Sequence, residues 1–314
     1  MSIEHKNNLS WPVVCLAFLL YLPVAAVGIP VARAADAPAE MQDDSYLAEI
    51  RDWRQKRHDR LADEDGWLTL VGLEWLSEGE NRLGSGQAND IRLPGGPETW
   101  GTIVLSGDEV FFTPVPEAHL TIDDAPARPT RLVSDAEGAP SVVRSDNLSF
   151  HVILRGSYAL RIKDRRAPTL LAFDGVDSYP IDAAWRKRAR FTPADPGQTI
   201  EIANVLGQSE STVLAGTVEF EHDGRTYSLL GLQEEGSDSL WFLFADRSNG
   251  RETYGAGRFL YSDGWPENGQ VVVDFNKAYN PPCAFNDYST CPLPPQANRL
   301  DLVVTAGEKD YHHH

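Results

Sequence analysis

The chain has 314 residues, with 46 acidic against 28 basic side chains and a formal net charge of −18. Such an excess of negative charge repels phosphate backbones and anionic lipid headgroups, which need clustered Lys and Arg, and this argues against nucleic acid as a partner. Twelve Phe, ten Tyr and eight Trp supply enough large apolar surface for one sizeable β body or two smaller ones.

The N-terminal residues read as a targeting segment. Lys6 gives a weakly basic start, and the apolar run from Trp11 to Ile29 is broken by Pro23 and Gly28. Ala32 and Ala34 occupy the small-residue positions that a signal peptidase requires, so cleavage is expected after Ala34. The rival reading, an uncleaved anchor, wants about 20 unbroken apolar residues, which Pro23 denies. Cys15 lies in the apolar run without a lipobox before it. Cleavage would remove two cations, Lys6 and Arg33, and one anion, Glu4, taking the formal charge from −18 to −19. The expected location is periplasmic or secreted, with no membrane span left after cleavage.

A small polar linker, Ala35 to Gln42, precedes the clearest helical pattern in the chain. Tyr46, Leu47, Ile50, Trp53, Arg57 and Leu61 recur at helical spacing with charges between them, and Asp44 or Ser45 can cap the start. This spacing predicts an amphipathic helix packed on a β core.

From Gly66 strands dominate. Trp67 to Val71 and Leu73 to Leu76 lead into a turn at Ser77–Glu80, and Asn81–Ser85 and Asp90–Leu93 flank a polar loop. Thr102–Leu105 and Glu109–Thr113 form a predicted hairpin around Ser106-Gly107-Asp108. The Asp/Ala/Pro-rich stretch Asp123–Pro140, with a short strand at Thr130–Val133, is the best boundary candidate. Beyond it the strands lengthen, beginning with Leu148–Arg155 and Tyr158–Lys163. Gly216–Glu221 and Arg225–Leu230 join through His222-Asp223-Gly224, and Trp185–Arg188 reads as a brief helix or a bulged strand.

Short strands separated by polar turns predict a mainly β protein and not βαβ units. The expected organisation is a signal peptide at 1–34, linker and amphipathic helix at 35–65, and a small N-terminal β unit at 66–140. A larger C-terminal β-barrel or β-sandwich follows at 141–310, with a His-ending tail at 311–314.

Familiar catalytic signatures are missing from the sequence: no Gly-x-Ser-x-Gly elbow, no His-Glu-x-x-His, no phosphate-binding loop and no dinucleotide fingerprint. His58, His119, His151 and His222 are scattered without metal-ligand spacing, so neither a metal nor a cofactor is expected. Cys283 and Cys291, close together in one loop of an exported chain, are expected to form a disulfide.

Asn81–Ser85 followed by Asn89–Leu93 resembles the strand-loop-strand of forkhead-associated (FHA) domains, which bind phosphothreonine. Those domains place an arginine directly after the glycine, where this chain has Ser85, and carry a downstream Ser-x-x-His that is missing here. The segment therefore reads as β geometry without the phosphate chemistry.

A wider resemblance rests on Gly66-Trp67-Leu68-Thr69-Leu70-Val71-Gly72-Leu73 and Gly84-Ser85, on Asp246 to Leu260, on Asp274 to Phe285 with its Asn280-Pro281-Pro282-Cys283-Ala284-Phe285 run, and on Cys291 to Pro295, Asn298 to Leu300 and Ala306 to Glu308. In these residues the chain resembles the bacterial and archaeal family named domain of unknown function 1684. That resemblance implies no activity and no catalytic residue.

The chemistry of the same stretch points to a site. Asp274 and Asn276 share a parity and turn to one face where their strand ends, while two prolines stiffen the following loop. Arg251, Glu252, Tyr254 and Arg258 lie in a Gly-rich turn expected to approach Asp274, Asn276, Tyr279 and Asn280. Arginine forks suit carboxylates and aromatic faces suit sugar rings, so binding of a small polar ligand such as a saccharide is the leading expectation. The alternatives are a metal-independent hydrolase pairing Asp274 with Glu252 or Glu308, and a structural envelope protein in which Arg258–Glu252 or Arg251–Asp274 are simply ion pairs.

Overall fold

Alternation of apolar and polar residues along short strands lets each strand bury one face, and between Leu70 and Asp164 it builds two facing sheets. The computed structural model describes residues 39–311, with side chains from Asp44 onward. The expected signal peptide, the start of the linker and the last three residues of the His-ending tail lie outside the described residues.

The first sheet has the order Ile91–Arg92, Gly79–Gly84, Gly101–Ser106, Glu109–Pro114, Thr130–Leu132. The second runs Leu70–Trp75, Tyr158–Asp164, Leu148–Leu154, Val142–Ser145, Thr121–Ile122, Ala125–Pro126. Ile103, Phe112 and Leu132 from one sheet meet Phe150, Val152, Leu160 and Ile162 from the other around buried Trp100. Phe112 and Phe150 pack edge to face with ring centres 5.8 Å apart.

The expected boundary near residue 140 falls inside this sandwich. Tyr158–Asp164 hydrogen-bonds along Leu70–Trp75, so the strands from Val142 to Asp164 share a sheet with the first strand of the body. The polar composition of 123–140 belongs to edge strands and turns, which face water much as a linker does. The expected hairpin is present as Gly101–Ser106 and Glu109–Pro114, with Ile103 opposite Phe112.

The third sheet is antiparallel, nearly closed into a barrel, and has the order Arg258–Tyr261, Trp241–Phe244, Arg225–Leu232, Ser209–His222, Arg186–Pro193, Gln270–Asp274, Asp263–Glu267. Thr199–Ala203 adds to the long Ser209–His222 strand. Asp223 and Gly224 both take positive φ, 49° and 71°, which is the backbone a two-residue hairpin turn requires. Its core joins Trp185, Val218, Phe220, Phe242, Phe244, Val273 and Phe275. Trp185–Arg188 turns out to be the end of a one-turn helix, Ala183–Trp185, running straight into the Arg186–Pro193 strand.

One long helix, Ala39–Leu61, precedes all of this. It starts within the stretch expected to be linker. Ile50 and Leu61 are buried on it, as the spacing predicted.

Candidate functional site

The helix is fastened to the segments that the sequence marked as a site, and the fastening is polar. Tyr46 donates its hydroxyl to Asp274 Oδ2 at 2.8 Å, and Asn276 Nδ2 donates to Tyr46 Oη at 2.9 Å. Burial, reinforced by the Asp274 carboxylate, pushes the Tyr46 hydroxyl well above its ordinary pKa, so it remains a donor. One turn from the C-terminal end, Arg57 Nε donates to Glu308 Oε1 at 2.9 Å and Nη2 donates to the Asn280 carbonyl at 2.9 Å. Its guanidinium also lies over the Tyr279 ring, 4.8 Å from the centre. Burial pushes the Tyr279 hydroxyl up to about 12.

The Gly-rich turn and the double-proline loop do meet. Tyr254 Oη donates to the Cys283 carbonyl at 2.9 Å, and Phe259 and Tyr279 exchange backbone hydrogen bonds. What fills the meeting place is a set of committed partners. Arg258 is fully buried and pairs with Asp246 at 2.8 Å, and it donates to the carbonyls of Val304, Ala306 and Glu308. The expected Arg258–Glu252 and Arg251–Asp274 pairs are therefore corrected. Glu252 instead accepts from Tyr179 at 3.1 Å, and Arg251 is exposed.

Asp274 and Asn276 converge as their parity required, but on each other and on Tyr46. Asp274 Oδ1 accepts from both nitrogens of Asn276, each at 3.0 Å. Asn280 gives its amide hydrogen to Glu308 Oε2 at 2.7 Å and its side-chain nitrogen to the Lys309 carbonyl at 2.7 Å. Side chains expected to grip a ligand are thus the bolts between helix, loop and barrel.

The expected disulfide is absent, and Cys283 and Cys291 are free thiols. They are nonetheless neighbours, for Cys291 Sγ accepts the Cys283 backbone N–H at 3.0 Å.

The FHA-like segment also uses its polar groups internally. Arg82 forms a bidentate pair with Asp90 at 3.0 and 3.1 Å, and Ser85 Oγ lies 2.9 and 3.0 Å from the carbonyls of Gly96 and Pro97. A neighbouring groove of about 450 Å³ offers Arg92 beside Glu74. A phosphate would meet one cation there, in a groove that a carboxylate also lines.

A different cleft is better equipped. Between the helix and the 175–178 loop lies a volume of about 350 Å³ lined by Arg51, Arg54, Arg57 and His58, with Asp177 and Glu308 at its walls. Arg57 already neutralises Glu308. Arg54 donates Nη2 to the Tyr179 carbonyl at 2.9 Å, yet its Nε is buried without a hydrogen-bond partner. Burial lowers its pKa, the signature of a cation short of compensation. Among the described residues neither Arg51 nor Arg54 makes an ion pair. His58 stacks on Phe173, ring centres 5.1 Å apart. The sequence reading passed over Arg51, Arg54 and His58, although their spacing of three and then four residues puts a cationic stripe on one helix face.

Fold and site together define a mainly β protein, a sandwich and a near-closed barrel, with one helix clasped to the barrel across a cationic cleft. The family described as protein of unknown function, DUF1684, matches the chain over residues 171–309. It is similar to an uncharacterised protein of Haloarcula marismortui solved by solution NMR, with 30% identity over 44% of this chain and 77% of that one, and a TM-score of 0.38. It is also similar to the FHA domain of FhaA solved with the intracellular domain of Rv3910, at 20% identity over 29% of this chain and 97% of that one, TM-score 0.21. A second FHA domain, from a study of phosphothreonine-dependent interactions, matches at 21% identity over 30% of this chain and 96% of that one, TM-score 0.21. No curated protein matches the chain.

Proposed function

We propose that this is an exported binding protein for a small ligand bearing a carboxylate or similar anionic group, such as a sugar acid, held in the cleft between the helix and the 175–178 loop. The observation that carries the reading is Arg54. A guanidinium that has lost hydration, with Nε unpartnered and no ion pair, is most stable with an anion beside it. Arg51 and His58 on the same face, and a volume of about 350 Å³ within the range of small-molecule sites, support it further.

Export follows from the N-terminal sequence, with its apolar run and the Ala32–Ala34 cleavage pattern. The ligand expected from sequence, a small polar molecule near residues 251–283, is retained in class but moved. Asn280 and Glu308 now serve as the wall that orients Arg57. The hydrolase reading is less well supported, because Asp274, Glu252 and Glu308 each have a protein partner already.

Thermal-shift and calorimetric titration against carboxylates, sugar acids, inorganic phosphate and neutral sugars tests this. Binding by an anionic compound is expected, and Arg54→Gln and Arg51→Gln should each weaken it about tenfold or more, the scale of one charge-assisted hydrogen bond. Affinity that is unchanged in both variants, or confined to neutral sugars, overturns the proposal.

A further inference from the structure

A second chemistry lies in the loop that follows the double proline. Cys283 is half-buried and Cys291 is buried, and Cys291 Sγ lies 3.0 Å from the Cys283 backbone nitrogen, which donates to it. The loop between them is held at both ends. Tyr254 ties the Cys283 carbonyl, while Val205 donates to the Cys291 carbonyl at 3.0 Å and Leu293 donates to the Ala203 carbonyl at 2.7 Å.

The two thiols are not equivalent. The hydrogen bond from Cys291 holds the Cys283 thiol below its ordinary pKa. Cys291 is pushed the other way, by that same pairing and by burial. Ser289 Oγ lies 3.7 Å from Cys291 Sγ. A more accessible sulfur with a lowered pKa beside a buried one with a raised pKa is the division of labour that thiol exchange uses.

We propose that Cys283 and Cys291 form a reversible dithiol–disulfide couple that exchanges with low-molecular-weight disulfides, Cys283 reacting first. In the first step the Cys283 thiolate attacks one sulfur of the external disulfide. The S–S bond breaks, and the departing thiolate takes up the proton that Cys283 released. In the second step Cys291 loses its proton and attacks the Cys283 sulfur of the mixed disulfide, and the other external thiolate leaves with that proton. The protein gives up two electrons and two protons, and one external disulfide becomes two thiols.

The experiment equilibrates the full chain, with Cys15→Ser so that only these two thiols report, in glutathione buffers of graded ratio. Free thiols are then alkylated and counted by mass spectrometry. The expected result is loss of both thiols together, one internal cross-link between them, and full recovery in reduced glutathione. Cys291→Ser should instead hold one glutathione per chain at Cys283, and Cys283→Ser should react at least about tenfold more slowly, because Cys291 is buried. Three results overturn the proposal: two thiols that persist in fully oxidised glutathione, a cross-link that excess reduced glutathione fails to open, or mixed disulfides on both residues without a cross-link. The unaltered pair supplies the main readout, so a poorly folded variant does not decide the outcome.

Discussion

Replacing Arg258 with Met tests whether the former candidate-site residues hold the barrel rim together. Met keeps most of the volume but removes a guanidinium that is 0% exposed and makes four hydrogen bonds. The Asp246 carboxylate would stay buried, with only backbone N–H donors from Ser248 and Val304 at 2.8 and 3.2 Å. Removing one member of a buried pair costs about 3–5 kcal/mol, because the partner's charge is left uncompensated. Water entering the gap keeps the orphaned carbonyls from adding fully to that figure.

Unfolding entropy of about 2.1 cal/mol/K per residue over roughly 270 folded residues is about 0.57 kcal/mol/K, so the melting temperature should fall by about 5–9 °C. Calorimetry at neutral pH reads this directly. Asp246→Asn in the same background should recover part of the loss, since it removes the stranded charge while keeping an oxygen for the two N–H donors. A drop below about 2 °C for Arg258→Met would mean that the pair contributes little and that Arg258 is free to serve a ligand.

Asp274→Asn is expected to lower stability by about 1–3 kcal/mol, because an amide nitrogen would face either Tyr46 or Asn276 where a carboxylate now accepts. Proteolysis within Ala39–Leu61 should accelerate with it, and unchanged cleavage and melting would return Asp274 to the list of ligand contacts. His151 is held down to about 4 from 6.5, first by burial and then by Lys163 and Arg161. The unfolded chain therefore takes up this proton before the folded one does, so stability falls as pH drops from about 6.5 to about 4, by at most about 3 kcal/mol. Urea midpoints at pH 7.5 and 4.5 should converge in His151→Gln relative to the unaltered chain; an identical pH dependence in both would show that His151 is not the group responsible.

The mainly β class was legible because alternation needs no tertiary knowledge. Ile103 and Leu105 turn inward with Val104 outward whichever sheet they join, and Asp223-Gly224 marks its hairpin through backbone geometry alone. The helix was legible for the same local reason. Partner choice was not. Arg258 was paired on paper with Glu252, six residues away, yet the strand it begins carries it to Asp246 across the sheet. The boundary at 140 failed similarly, since only the pairing of Leu70–Trp75 with Tyr158–Asp164 reveals that the first strand of the body waits for a partner almost ninety residues later. Arg57 was the overlooked clue. An arginine within an otherwise apolar stripe requires a buried acceptor, and Glu308 with the Asn280 carbonyl meets that requirement from the far end of the chain.

The same reasoning, applied one turn earlier on the helix, separates the bolts from the cleft. Arg57 and Arg54 leave the helix on neighbouring faces, and both are half-buried. Glu308 has two oxygens, and one is taken by Arg57 while the other is taken by the Asn280 backbone. Arg54 feels that carboxylate only through space, and its one hydrogen bond goes to a single backbone carbonyl. Arg51 lies a further turn back, where like charges three residues apart cost a few tenths of a kcal/mol on a bare helix. In a chain carrying 46 acidic residues, a glutamate at either position would have cancelled the repulsion locally. A helix selected only to cover the barrel rim has no physical reason to line an open volume with Arg51 and Arg54, whereas an anion entering that volume relieves their repulsion and gives the buried Arg54 Nε an acceptor.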